Sequence, residues 1–246
     1  MPDIAINAAP NNGDTGGTFS AYLAAPEATP APGLVLAQEI FGVNTVMRTI
    51  AGQFAADGFA AICPDLFWRQ EPGIQITDGS EAEWAKAFQL FQGFDVDKGV
   101  DDLKATLAAM KKRPECNGKV GAVGYCLGGS LAYLMATRSD VDCSVAYYGV
   151  SIHALLAEAK NIKKPLMVHI AENDKFVPKE AQEQIKAGLG KNPLVEIHSY
   201  PGVDHAFARV GGQSYVPEAA ALADRRTQAF LDKHLGRPAR KRPHQG

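Results

Sequence analysis

Short apolar runs alternate with longer amphipathic stretches from Gly33 onward, a rhythm that predicts a mainly parallel β-sheet with helices on both faces. The expected strands are Gly33–Ala37, Phe59–Cys63, Lys119–Tyr125, Asp142–Tyr148, Pro165–Ile170 and Leu194–Tyr200. Helices are expected over Thr45–Asp57, Glu81–Lys112, Leu127–Thr137, Ile152–Lys160, Lys179–Gly188 and Pro217–His234. Asn44 suits the N-cap of the first helix, and Gly58 is a stop signal after its last turn. Upstream, Ile4–Ala8 and Thr18–Ala24 flank a loop containing Asn12-Gly13 and Gly16-Gly17, which is the turn chemistry of an antiparallel hairpin at one sheet edge.

Two segments break the rhythm. Arg69–Ser80 contains Pro72, Gly73 and Gly79 and is expected to cross the surface as a loop. Arg237–Gly246 sets Arg237, Arg240, Lys241 and Arg242 among prolines, so a single domain over 1–236 followed by a basic, disordered tail is expected. One short basic cluster is a weak argument for nucleic acid when the net charge is -2, and apolar residues at 46% supply a sizeable core. The partner this composition suits is a small molecule, met by a monomer. The four cysteines, Cys63, Cys116, Cys126 and Cys143, contain no C-x-x-C pair, which argues against a zinc site or a disulfide framework. With no apolar run long enough to span a bilayer and no leader pattern at the start, a reduced cytoplasmic setting is expected.

The chemistry concentrates at Gly124-Tyr125-Cys126-Leu127-Gly128-Gly129. An apolar run enters a glycine-flanked cysteine and then helix-forming sequence, the layout of a nucleophile elbow, G-x-S-x-G, with cysteine in place of serine. The small flanking residues are needed because neighbouring backbones crowd the corner. A free thiol with a pKa of about 8.5 is only a few per cent thiolate at neutral pH, but that fraction is a strong nucleophile, and a helix N-terminus favours it. Taken alone, a buried cysteine in a glycine-rich turn is the commoner reading of such a motif. A phosphate-cradling loop fits less well, since its lysine and Ser/Thr are missing.

Partners for Cys126 follow downstream in order. The strand Pro165–Ile170 ends in Ala171-Glu172-Asn173-Asp174, and the strand Leu194–Tyr200 ends in Pro201-Gly202-Val203-Asp204-His205. Loops after parallel strands gather on one sheet edge, so Asp174 and His205 are expected beside the elbow, in the order nucleophile, acid, histidine. Asp204 reads as a turn former. His153, His169, His198, His234 and His244 are placed less well to reach Cys126. An oxyanion hole would use the backbone N–H of Leu127 and, from the loop Gln38-Glu39-Ile40-Phe41-Gly42, that of Ile40. This loop also sets Glu39 beside the thiol, where its charge either opposes thiolate formation or accepts the thiol proton.

With these residues in view, the sequence resembles the dienelactone hydrolases (carboxymethylenebutenolidases) of the α/β-hydrolase superfamily over nearly the whole chain. The matching stretches are Gln38–Asn44, Cys63-Pro64-Asp65-Leu66, Gly121–Gly129, Tyr147-Tyr148-Gly149, Phe176-Val177-Pro178 and His205-Ala206-Phe207-Ala208-Arg209. The resemblance implies a Cys126, Asp174, His205 triad, with Glu39 holding and deprotonating the thiol, no metal or organic cofactor, and Arg209 binding a substrate carboxylate. Phe41 and Tyr148, within matched stretches, join the expected substrate-binding residues.

Two departures bear on substrate. Where the family carries an arginine and a tyrosine on the long helix, this chain has Trp84 and Phe88, and the serine usual after the histidine is Ala206. A more apolar pocket is expected. The reading is a hydrolase that opens a carboxylate-bearing lactone or enol ester through a cysteine thioester. The alternatives are a general esterase or thioesterase on a more apolar ester, and a non-catalytic binding protein on the same scaffold.

Overall fold

A computed structural model describes residues 3–8, 10 and 16–236. The Asn12-Gly13 turn and the segment 237–246 lie outside the described residues. Eight strands form one sheet: β1 (Asp3–Ala8), β2 (Gly17–Ala24), β3 (Ala31–Ala37), β4 (Ala60–Pro64), β5 (Cys116–Tyr125), β6 (Cys143–Tyr147), β7 (Leu166–Ala171) and β8 (Val195–Tyr200). Their order is β1-β2-β4-β3-β5-β6-β7-β8. From β4 to β8 every neighbouring pair is parallel, and β1 and β2 form the antiparallel hairpin expected at one edge.

The burial of each strand follows from its place. β3, β4, β6 and β7 are buried along their whole length, as continuous apolar runs must be when helices cover both faces. At the edges, β1 buries only some of its residues and β8 is mostly half-buried. Leu34, Leu36 and Ile62 have no exposed surface. Each such side chain contributes about 1.5–3 kcal/mol by leaving water.

The helices are α1 (Thr45–Ala56), α2 (Glu81–Gln92), α3 (Val96–Lys111), α4 (Leu127–Arg138), α5 (Lys179–Leu189) and α6 (Pro217–Leu231). One layer is made by α3, α4, a 3₁₀ segment (Ile152–Asn161) and α5, which pack side by side, while α1 rests on β2 and β4 and α6 on β7. Asn44 caps α1 as expected, its side chain accepting from the Met47 N–H at 3.2 Å.

Three helix expectations are corrected. Glu81–Lys112 is two helices, because the chain stops at Gly93 and Asp95 caps a new start by accepting from the Lys98 N–H at 3.1 Å. Ile152–Lys160 lies within a 3₁₀ segment. There the Leu155 carbonyl is taken by the Tyr133 hydroxyl at 3.1 Å, so a side chain satisfies a backbone group that an α-helix would pair internally, and the Glu158 side chain is drawn to Arg138. The last helix ends at Leu231, and the backbone widens into a π turn over Asp232–Gly236.

This topology sets up the site. The C-terminal ends of β3, β5, β7 and β8 share one edge of the sheet, so the loops that carry Glu39, Cys126, Asp174 and His205 all open there.

Candidate active site

Cys126 sits at the corner between β5 and α4 with φ 57° and ψ -116°, a conformation that side-chain-bearing residues rarely adopt. The surrounding backbone holds it there. Its N–H donates to the Tyr147 carbonyl at 3.1 Å, and the Gly128 N–H donates to the Gln38 carbonyl at 3.0 Å. A Cβ on Gly124 would lie 1.8 Å from the Gly128 carbonyl oxygen, and one on Gly128 would lie 2.0 Å from that of Ala37. Both flanking glycines are therefore demanded by backbone contact. This close approach draws the loop after β3 against the elbow.

That loop delivers Glu39, Ile40 and Phe41. Gln38, fully buried, fixes it by accepting from the Leu66 N–H at 3.1 Å and donating to the Glu39 carbonyl at 3.3 Å. Among the described residues, the N–H groups of Ile40 and Leu127 have no backbone acceptor, as an oxyanion-binding pair would require.

Asp174 and His205 meet across the ends of β7 and β8. His205 Nδ1 lies 2.8 Å from Asp174 Oδ2, while Asp174 Oδ1 accepts from the N–H groups of Phe176 (2.8 Å) and Val177 (3.1 Å). Asp204 is a turn residue here. It accepts from the N–H groups of His205 and Lys175 and pins the two loops together. The imidazole is gripped edge-on by Tyr148 (5.0 Å) and Phe176 (4.9 Å), and its Nε2 makes no hydrogen bond. Burial works against charge on His205, but the neighbouring Cys126 sulfur and the Asp174 carboxylate outweigh it and lift the pKa to about 10.

Glu39 is buried beside Arg209, whose Nε lies 3.6 Å from Glu39 Oε2. Burial raises the Glu39 pKa, and the positive charges of Arg209 and His205 only partly counter it. Arg209 lies over the Phe41 ring, its guanidinium carbon 5.0 Å from the centroid.

These groups surround one cleft of about 400 Å³, open mouth included, lined by Glu39, Ile40, Phe41, Trp84, Phe88, Phe91, Cys126, Val150, Phe176, His205 and Arg209. Trp84 meets Phe41 edge-on at 5.1 Å and stacks on Phe88 at 5.5 Å. Tyr148 stands behind His205 and does not line the cleft, and Asp174 is likewise behind the ring. The other three cysteines are free and buried away from it.

Sequence reasoning passed over Phe91, Val150 and Phe176 as wall residues, and above all Asp78. Residues 69–80 do more than cross the surface. The Ile76 N–H donates to the Phe41 carbonyl at 3.1 Å and the Asn44 amide to the Ile76 carbonyl at 2.8 Å, which brings Asp78 Oδ2 to 3.4 Å from an Arg209 terminal nitrogen. A loop aspartate among Thr77, Gly79 and Ser80 reads as turn chemistry, and nothing in its spacing reports the inward aim. Among the described residues, no cluster of His, Cys, Asp and Glu has metal-holding geometry, and no helix is long and apolar enough to cross a membrane.

A mainly parallel sheet with an elbow after its central strand, and acid and histidine loops after the next strands but one and two, defines the α/β-hydrolase class. A solved Klebsiella pneumoniae protein, provisionally titled a dienelactone hydrolase, has the same fold with a TM-score of 0.78 at 24% identity, covering 95% of this chain and 100% of that one. In sequence, the chain is 52% identical over 247 residues to an Azospirillum brasilense protein provisionally named carboxymethylenebutenolidase, covering 96% of this chain and 100% of the relative. It is 44% identical over 216 residues to the carboxymethylenebutenolidase of Pseudomonas putida, covering 88% and 92%. The dienelactone hydrolase family model matches residues 19–235. The chain belongs to the dienelactone hydrolase family, and it is a hydrolase.

Proposed function

We propose that the protein opens a lactone or enol ester through a thioester on Cys126, using a Cys126, His205, Asp174 triad. The observation that carries this reading is the convergence, on one cleft, of a thiol at a strained corner and an imidazole held from behind by a buried carboxylate. The names of the relatives at 52% and 44% identity support a lactone as the substrate.

Glu39, made basic by burial, takes the thiol proton, and the Cys126 thiolate adds to the acyl carbon. The oxyanion accepts hydrogen bonds from the Ile40 and Leu127 N–H groups. Collapse breaks the acyl–oxygen bond, and the departing enolate takes its proton from the His205 imidazolium. Now neutral, His205 withdraws a proton from water as that oxygen attacks the thioester, and the second collapse frees the acid and returns the thiolate, which regains from Glu39 the proton lost at the start. These steps need no metal or organic cofactor. Arg209 is the cation that a carboxylate on the substrate would meet, since guanidinium pairs bidentately with carboxylates.

A more apolar ester is the second reading, favoured by the aromatic wall of Phe41, Trp84, Phe88, Phe91 and Phe176. The test is Cys126→Ala, which is expected to abolish turnover of every accepted ester with unchanged circular dichroism, together with acid-quenched mass spectrometry of the wild type showing an acyl adduct on Cys126. Full activity in the variant would overturn the mechanism, and relative rates on dienelactone and neutral aryl esters separate the two substrate readings.

A further inference from the structure

Arg209 is the guanidinium of the cleft wall, but two carboxylates already face it. Glu39 Oε2 stands 3.6 Å from Nε, and Asp78 Oδ2 stands 3.4 Å from a terminal nitrogen. Both pairs are longer than good charge-assisted hydrogen bonds, which fall near 2.7–2.9 Å. Asp78 Oδ2 and Arg209 Nε are both buried with no hydrogen bond. A guanidinium held in place over Phe41, with its donors only loosely engaged, is a seat shaped for an anion and occupied by a poor fit.

The way Asp78 is held explains the poor fit. The Trp84 indole N–H donates to the Asp78 carbonyl at 3.2 Å. On either side, Thr77 hydrogen-bonds through N–H and hydroxyl to Glu83, and Ser80 caps α2 by accepting from the Glu83 N–H at 3.3 Å. The backbone on both sides of Asp78 is thus fixed to α2, and the short side chain reaches toward Arg209 without closing on it. Trp84 fastens the backbone of the residue that bears the competing carboxylate and stands at a position that supplies no cation of its own.

We propose that Asp78 is a place-holder for an anionic group of the substrate, and that it sets how strongly the cleft selects carboxylate-bearing over neutral ligands. An incoming carboxylate that pairs bidentately with Arg209 must displace Asp78 or share the guanidinium with it, whereas a neutral group meets no such competition. The inference rests on the cleft being the ester-binding site, but its test uses binding and needs no turnover.

The experiment measures protection of Cys126 from iodoacetamide by benzoate and, in parallel, by uncharged benzamide. In Asp78→Asn the half-protecting benzoate concentration is expected to fall about tenfold or more, the scale of losing one like charge at a dry site, while that of benzamide moves less than twofold. Trp84→Phe, which removes the N–H that fastens Asp78, is expected to lower the benzoate value in the same direction by a smaller factor, and it carries the test should Asp78→Asn fail to fold. Equal shifts for benzoate and benzamide mean that Asp78 only shapes the loop, and no benzoate shift in either folded variant means that it does not compete; each result overturns the proposal. Full activity of Cys126→Ala would instead overturn the thioester reading without touching the benzoate result.

Discussion

His205 Nδ1 lies 2.8 Å from Asp174 Oδ2, and the other oxygen of that carboxylate is held by two backbone N–H groups, those of Phe176 and Val177. The carboxylate therefore cannot swing away from the imidazole without losing both. Asp174→Asn keeps an oxygen for the two N–H groups but turns an amide NH₂ toward Nδ1, which forces the opposite histidine tautomer. The expected result is a fall in kcat of about 10²–10⁴-fold with little change in KM. Steady-state kinetics check it, and a KM effect alone would mean that Asp174 serves only the loop.

The charge on His205 depends on the sulfur in front of it. Burial alone would depress its pKa, and Cys126 and Asp174 together lift it from the usual 6.5 to about 10. A histidine whose pKa is raised by folding contributes stability that is fully present below about pH 6.5 and is lost as the pH rises through about 10. Cys126→Ser removes the ionisable thiol, so the His205 pKa is expected to fall toward its ordinary range and the loss of stability to move to lower pH. Titration of the imidazole by NMR and urea midpoints between pH 6 and 10 read the two effects.

Glu39 has the opposite relation to stability. Its pKa is raised chiefly by burial, so the folded state disfavours its charged form, and that cost is present once the pH exceeds the raised value. Glu39→Gln mimics the neutral acid. It is expected to raise the melting temperature at pH 8 and not at pH 4, at about 2–4 °C per kcal/mol relieved in a chain of this size, while slowing alkylation of Cys126. Equal melting shifts at both pH values would remove the charge from the explanation.

Much of this site could be read from sequence because its parts obey strong local rules. The runs Gly33–Ala37 and Lys119–Tyr125 had to be interior parallel strands, and parallel strands deliver their following loops to one edge. The break between α2 and α3 was concealed because apolar positions such as Leu90 and Val100 recur on both sides of it, although Gly93 followed by Asp95 is a stop-and-cap signal. Asp78 and Phe176 were harder. Their roles come from tertiary contacts made by loops, which leave no periodicity in the chain. The pairing of Asp78 with Arg209 spans elements far apart in sequence and depends on loop-to-loop hydrogen bonds that only the folded chain makes.

Gly128 offers the sharpest separation of fold from chemistry at the elbow. Its N–H reaches the Gln38 carbonyl at 3.0 Å, and an added Cβ would sit 2.0 Å from the Ala37 oxygen and 2.7 Å from that of Gln38. Every atom in the way is backbone of β3 or its loop, which no side-chain rotation can clear, so α4 must move off the sheet or the loop must shift. Gly128→Ala is expected to cost about 3 kcal/mol or more in urea unfolding, the range reached when overpacking meets rigid backbone. Because the displaced loop carries both Ile40 and Glu39, the folded fraction is also expected to lose turnover by tenfold or more and to show slower alkylation of the Cys126 thiol. A stable, fully active Gly128→Ala protein would show that the elbow and the loop after β3 are not held in contact, and the oxyanion pairing of Ile40 with Leu127 would fall with it.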